Sequence, residues 1–177
     1  MTGPVTGPPQ PDLNAALDRL RNGSDTGEIG EITRFETGIE LHADAALKVS
    51  GHFRSPAGRL LELDISVPGQ GDWIALHVAL PLSDLSGLGY VGFACRAAAQ
   101  GEVLIRPCLR SATEDGQADC FFPRHILCSR EPRDHVDALH PATVRTLAQT
   151  ARWRELVLFL PRENLVWHLH DLRVFAV

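Results

Sequence analysis

Apolar and polar residues alternate through most of this chain. The cleanest stretch is Leu61-Glu62-Leu63-Asp64-Ile65-Ser66-Val67, with four apolar side chains facing one way and three polar ones the other. A strand of this pattern has one wet face, as in antiparallel sheets. Pro68-Gly69-Gln70-Gly71 turns the chain. A strand over 73–80 follows, with Ile74, Leu76, Val78 and Leu80 in phase. The same reading predicts strands over 32–37, 39–42, 46–49, 90–96, 102–110, 118–122, 155–160 and 165–177. Ser86-Gly87, Gln100-Gly101, Asp115-Gly116 and Pro161 separate several of them. The stretches 102–110 and 118–122 pair as a hairpin across 111–117. The charged segment 130–140 reads as a long irregular connection. Residues 143–152 fit a strand and a short helix equally.

One segment changes period. Leu13, Ala16, Leu17 and Leu20 fall on one helical face, Asp12 is placed to cap them, and Asn22-Gly23 stops them. Residues 12–22 are thus expected as a helix. Residues 1–11, with four prolines and two glycines, read as a disordered arm. Many short strands at this spacing make a mainly β sandwich or barrel. The chain's 177 residues suit one such domain, over 29–177.

Composition narrows the function. The net charge of -5 argues against nucleic acid or an anionic membrane as the main partner. No apolar run is long enough to predict a membrane-spanning helix, and the N-terminus lacks a basic and apolar leader. A cytoplasmic location is the expectation. Cys95, Cys108, Cys120 and Cys128 are irregularly spaced and read as free thiols in or near the core. No GxSxG, phosphate loop or recognisable carboxylate pair is present, so the reading leans away from an enzyme.

Period two puts Arg106 and Arg110 on one strand face with Leu104 and Cys108, and Arg96 ends the strand before. Arginine there offers a planar fork of donors to a carboxylate, phosphate or sugar hydroxyl. The competing account is a ladder pairing with Glu62, Asp64 or Glu102. His168 and His170 also share a face. They are either bystanders or the start of a metal site of a cupin-like enzyme, with His42, His77 or His125 as a third ligand through space. Trp167 is in phase with Leu165 and Leu169, which predicts a core ring; Trp73 is out of phase with its neighbours and faces outward, and Trp153 sits at a sheet rim.

The order of motifs resembles the galactose-binding-like jelly rolls, a β-sandwich group that includes many carbohydrate-binding modules. The phrases that carry the likeness are Trp73-Ile74-Ala75-Leu76-His77-Val78, the run from Leu82-Ser83-Asp84-Leu85 to Gly89-Tyr90-Val91-Gly92-Phe93, Val103 to Arg110, Trp153 to Leu160, and Leu169-His170-Asp171-Leu172-Arg173-Val174. The resemblance implies a two-sheet antiparallel jelly-roll sandwich with a short N-terminal helix. It also implies a non-catalytic module binding a carbohydrate or other polar ligand through Tyr90, Arg96, Arg106 and Arg110, with His168 and His170 near. A structural calcium on Glu36 and Asp171 is a further implication, since both are hard oxygen ligands. The alternative roles are a protein-interaction or assembly module, working with a protein partner or as a homo-oligomer, and the metal-dependent enzyme above.

Overall fold

The computed structural model describes residues 12–177; the arm expected over 1–11 lies outside them. A single helix, α1 (Ala15–Asn22), opens the described chain and buries Leu17 and Leu20. Asp12 does not cap it as expected. Asn14 occupies the cap position without a capping bond, and the Asn14 N–H donates to Asp12 Oδ1 (2.9 Å). The Asn14 side chain is used elsewhere: its Nδ2 donates to the Val174 carbonyl (2.9 Å) and its Oδ1 accepts from Val174 N–H (2.8 Å). This amide mimics a backbone and ties the helix to the last strand.

Thirteen strands follow. They are β1 (Asp25–Ile29), β2 (Ile32–Glu36), β3 (Ile39–Ala43), β4 (Ser50–Ser55), β5 (Leu61–Ser66) and β6 (Ile74–Leu80). Next come β7 (Val91–Ala99), β8 (Val103–Thr113), β9 (Gly116–Phe121), β10 (Ile126–Cys128), β11 (Arg133–Leu139), β12 (Arg154–Phe159) and β13 (Leu165–Ala176). They form a six-stranded sheet, β1-β4-β5-β13-β7-β11, and a seven-stranded sheet, β10-β8-β12-β6-β3-β2, with β9 also on β8. Every pairing is antiparallel. The two inner faces make one core, with Trp167, Phe93, Leu41, Leu61, Leu63 and Leu158 almost fully buried. This is the jelly-roll sandwich that the alternation and the resemblance pointed to. The four cysteines are free and buried.

Several expected elements change. The stretch 46–49 is not a strand: Ala45–Leu47 form a tight 3-10 turn, with Asp44 Oδ1 accepting from Ala46 N–H (2.9 Å). Residues 143–152 are neither helix nor strand, and one isolated bridge pairs Asp84 with Thr150. The segment 130–140 holds β11, an edge strand whose alternating charge concealed it. The β8–β9 hairpin is longer than expected, with Thr113 opposite Gly116 and a turn of Glu114-Asp115. Gly116 adopts φ of 120°, which favours glycine there.

Pro107 explains a gap at one edge. Its carbonyl accepts from Phe122 N–H (3.1 Å), so its missing N–H also faces that side. The ladder on that edge breaks there, between β9 and β10, and residues 123–125 loop out. One end of the sandwich is closed by Arg154, 1% exposed. Its Nη1 donates to Ser111 Oγ (2.5 Å), and its Nη2 to the carbonyls of Ala148 (2.7 Å) and Gln149 (2.9 Å).

Candidate functional site

The register of the seven-stranded sheet defines its outer face. One row crosses Ile32, His42, Ala75, Phe159 and Arg106 from β2 to β8. The next crosses Arg34, Glu40, His77, Val157, Cys108 and Phe121. A third runs through Ala79, Glu155, Arg110 and Asp119. The centre of this face is small and dry: Ala75, Cys108 and Val157 are each 0% exposed, with Phe121 and Phe159 packed against them. Burial pushes the Cys108 thiol up to about 12, so it stays protonated and acts as an apolar filler.

The side chains around this floor divide into two ends. At one end Arg34 Nε donates to Glu40 Oε1 (2.7 Å) and His42 Nε2 to Glu40 Oε2 (2.8 Å). These bonds, the histidine's first, hold the Glu40 carboxyl below its usual range. His77 Nδ1 donates to Glu155 Oε2 (2.8 Å), and the two imidazoles lie 4.8 Å apart. Arg110 grips both oxygens of Asp119, at 2.7 and 2.8 Å. That fork lowers the Asp119 pKa and raises that of Arg110.

At the other end lies a depression of about 530 Å³. Its walls include Trp73, Phe121, Phe159, Arg106, Arg162 and His125, with Asp72 at the rim. Trp73 is 39% exposed. The Arg106 guanidinium carbon stands 3.6 Å from the centre of the Phe121 ring. The break at Pro107 frees the loop that brings His125 here.

Arg106 and Arg110 therefore share a face as their spacing predicted, but the rest of the expected set does not join them. Arg96, His168 and His170 belong to β7 and β13 on the opposite sheet. There Arg96 Nη1 donates to both oxygens of Asp134, at 3.0 and 2.9 Å. The rings of His168 and His170 are 6.2 Å apart, and β13 bulges between Leu169 and Asp171. Burial and neighbouring positive charge, burial first, keep His170 below its ordinary pKa. Two hollows of about 290 and 310 Å³ meet at Val166 and His168, walled by Ala98, Arg130, His52 and Glu62 rather than by aromatic rings. Tyr90 precedes β7, half exposed, its ring edge-on to His140 at 5.2 Å. The expected ladder partners differ as well: Glu62 binds Arg54 and Arg59, while Arg96 and Arg110 take Asp134 and Asp119.

Glu36 and Asp171 do not fit a calcium ion. Glu36 Oε1 accepts from Arg19 Nε (3.1 Å) and Thr37 N–H (2.9 Å), and Asp171 is bound by Arg21. Two arginines of α1 supply the positive charge these carboxylates need, and a cation would have to displace them. Among the described residues no group of three or more His, Cys, Asp or Glu is placed to hold a metal, so His168 and His170 find no third ligand.

The sequence reasoning missed Phe121 and Phe159. Phe159 lies inside the apolar run 156–160, which hides its phase. The available signal was that Val157 and Phe159 alternate with Leu156 and Leu158 and stay in step with Glu155.

No family model matches the chain, and no curated protein does. Solved structures of similar shape exist. The CBM22-1 xylan-binding domain of Paenibacillus barcinonensis Xyn10C superposes with a TM-score of 0.53 at 8% identity, over 86% of this chain and 85% of that one. The N-terminal cellulose-binding domain of Cellulomonas fimi β-1,4-glucanase C gives 0.50 at 13%, over 85% and 94%. The enzymatically active domain of bacteriophage CBA120 tailspike protein 4 gives 0.50 at 11%, and this chain spans only 21% of its length. Identities this low speak for fold alone: the chain shares the jelly-roll β-sandwich shape of these domains.

Proposed function

We propose that this chain is a non-catalytic glycan-binding module whose ligand lies on the outer face of the seven-stranded sheet. The observation that carries this reading is the depression beside Trp73, Phe121, Phe159 and Arg106, on an open face with a dry floor. Sugar rings have apolar C–H faces and polar rims. Aromatic walls meet the first, and guanidinium donors meet the second. The volume is in the range of small-ligand sites, about 300–1,000 Å³. The acids at the other end of the face favour binding over catalysis, because Glu40, Glu155 and Asp119 are each committed to a basic neighbour. The xylan- and cellulose-binding domains of the same shape add support by analogy of fold.

Affinity electrophoresis against soluble glycans, followed by calorimetry on those that retard the protein, tests the reading. Trp73→Ala, a surface change, is expected to weaken binding about tenfold or more, with the circular dichroism spectrum unaltered. Retardation by no glycan, or binding indifferent to Trp73→Ala, would refute it.

A further inference from the structure

The arginines of the proposed face are not equivalent. Arg34 is held by Glu40 and Arg110 by Asp119, both through carboxylate oxygens. Arg106 has no carboxylate or other hydrogen-bond acceptor among the described residues; its guanidinium lies against Phe121 instead. Stacking uses the flat face of the group and leaves the in-plane N–H donors at its edge unspent. Arg162, on the same depression, gives Nη1 to the Gly71 carbonyl (3.2 Å) and makes no ion pair among the described residues. Two guanidiniums thus line the depression with one carboxylate, Asp72, in a chain whose formal charge is -5. A local excess of positive charge in an acidic protein favours an anionic ligand there over a neutral one. Neutral sugar hydroxyls would take these donors one at a time, whereas a carboxylate takes two from one fork and neutralises the charge.

Resting on the glycan-binding reading above, we infer that the ligand is an acidic glycan bearing hexuronic-acid carboxylates, with Arg106 as the fork that receives one carboxylate and Arg162 as the second cation. Phe121 holds the fork flat and Trp73 and Phe159 take the apolar ring faces. Arg110, locked on Asp119, takes no part in charge recognition.

Calorimetric titrations with oligogalacturonate, its methyl-esterified counterpart, dextran oligosaccharides and dextran sulfate separate the possibilities. The expected result is a preference of about tenfold or more for oligogalacturonate over its ester. That binding should weaken steeply when ionic strength rises to about 0.5 M. Arg106→Gln should abolish the preference while leaving residual binding to the ester, and Arg106→Lys should restore only part of it, since a point charge is not a fork. Equal, salt-insensitive binding of the acid, its ester or dextran overturns the acidic class and leaves the module reading standing. Tighter binding of dextran sulfate overturns the carboxylate assignment. Failure of every glycan to bind defeats the module reading itself.

Discussion

The two outer faces of the sandwich arise from the same alternation of residues, yet they are physically unlike. On the six-stranded sheet the polar side chains complete one another across strands, Arg54 with Glu62 and Arg96 with Asp134. Such exposed pairs contribute about 0–1 kcal/mol each, and they leave few donors for a ligand. On the seven-stranded sheet the middle of the face is an apolar floor sealed by two phenylalanines, with pairs at one end and an unpaired arginine at the other. One face spends its Arg54 and Arg96 forks on carboxylates; the other keeps the Arg106 fork and ring faces in reserve. The site follows from what a surface leaves unsatisfied, more than from how many charges it carries.

The contrast breaks if ligand binding ignores it. Arg106→Ala is expected to cost about thirtyfold in affinity, about 2 kcal/mol, while Arg96→Ala and His168→Ala on the opposite sheet stay within about twofold. Calorimetry with one bound glycan checks all three. Loss of binding in Arg96→Ala or His168→Ala with Arg106→Ala unaffected would exchange the roles of the faces.

A pair of like substitutions sharpens it next. Val157 and Val166 both point outward, but Val157 is 0% exposed and Val166 only half-buried. Val157→Thr forces a hydroxyl into the dry floor and should destabilise by about 1–2 kcal/mol, whereas Val166→Thr should cost under about 0.5 kcal/mol. Urea denaturation reads both.

The faces should also fail at different pH. His170 lies on the six-stranded sheet, and its folded pKa is lowered from an ordinary 6.5 chiefly by burial. The unfolded chain then binds a proton first, so stability is full above pH 6.5 and falls as pH drops from there toward the folded value. Asp119, on the other sheet, has a folded pKa held below its ordinary 3.8 by the bond from Arg110. Its contribution is complete above 3.8 and is lost only as pH falls through the folded value. Thermal melts from neutral to acid pH should show a mildly acidic loss that His170→Gln reduces, His135 being lowered by burial as well, and a strongly acidic one that Asp119→Asn reduces.

A small effect is also expected where α1 clasps the two sheets together. Arg21→Ala should cost under about 1 kcal/mol, because Asp171 is 42% exposed on its side chain. Calcium should leave the melting temperature of the unaltered protein unchanged. A calcium-dependent rise would restore Glu36 and Asp171 as ligands.

Much of the fold was legible because period two marks any strand with one dry face. Strands β5, β6, β8 and β13 have such faces and were found within a few residues. The missed strands had weaker signals. In β1 only Ile29 is buried, and in β4 only Phe53 and Ser55 are. The site was half legible. The phase of Arg106 and Arg110 is local and came through. Sheet membership is not local: β7 and β8 are joined by a short turn at Gln100-Gly101, read like a hairpin and enter opposite sheets, which separated Arg96 from the other two. Phe159 was hidden for a different reason, since a strand dry on both faces has no alternation to read.

The most direct measurement is nuclear magnetic resonance mapping of backbone amides in the isotope-labelled protein during titration with oligogalacturonate. The account predicts that the largest shifts cluster at Trp73, Arg106, Phe121, His125 and Phe159, with Arg96, His168 and His170 unmoved. Shifts centred on Val166 and His168, or none at saturating ligand, would contradict it.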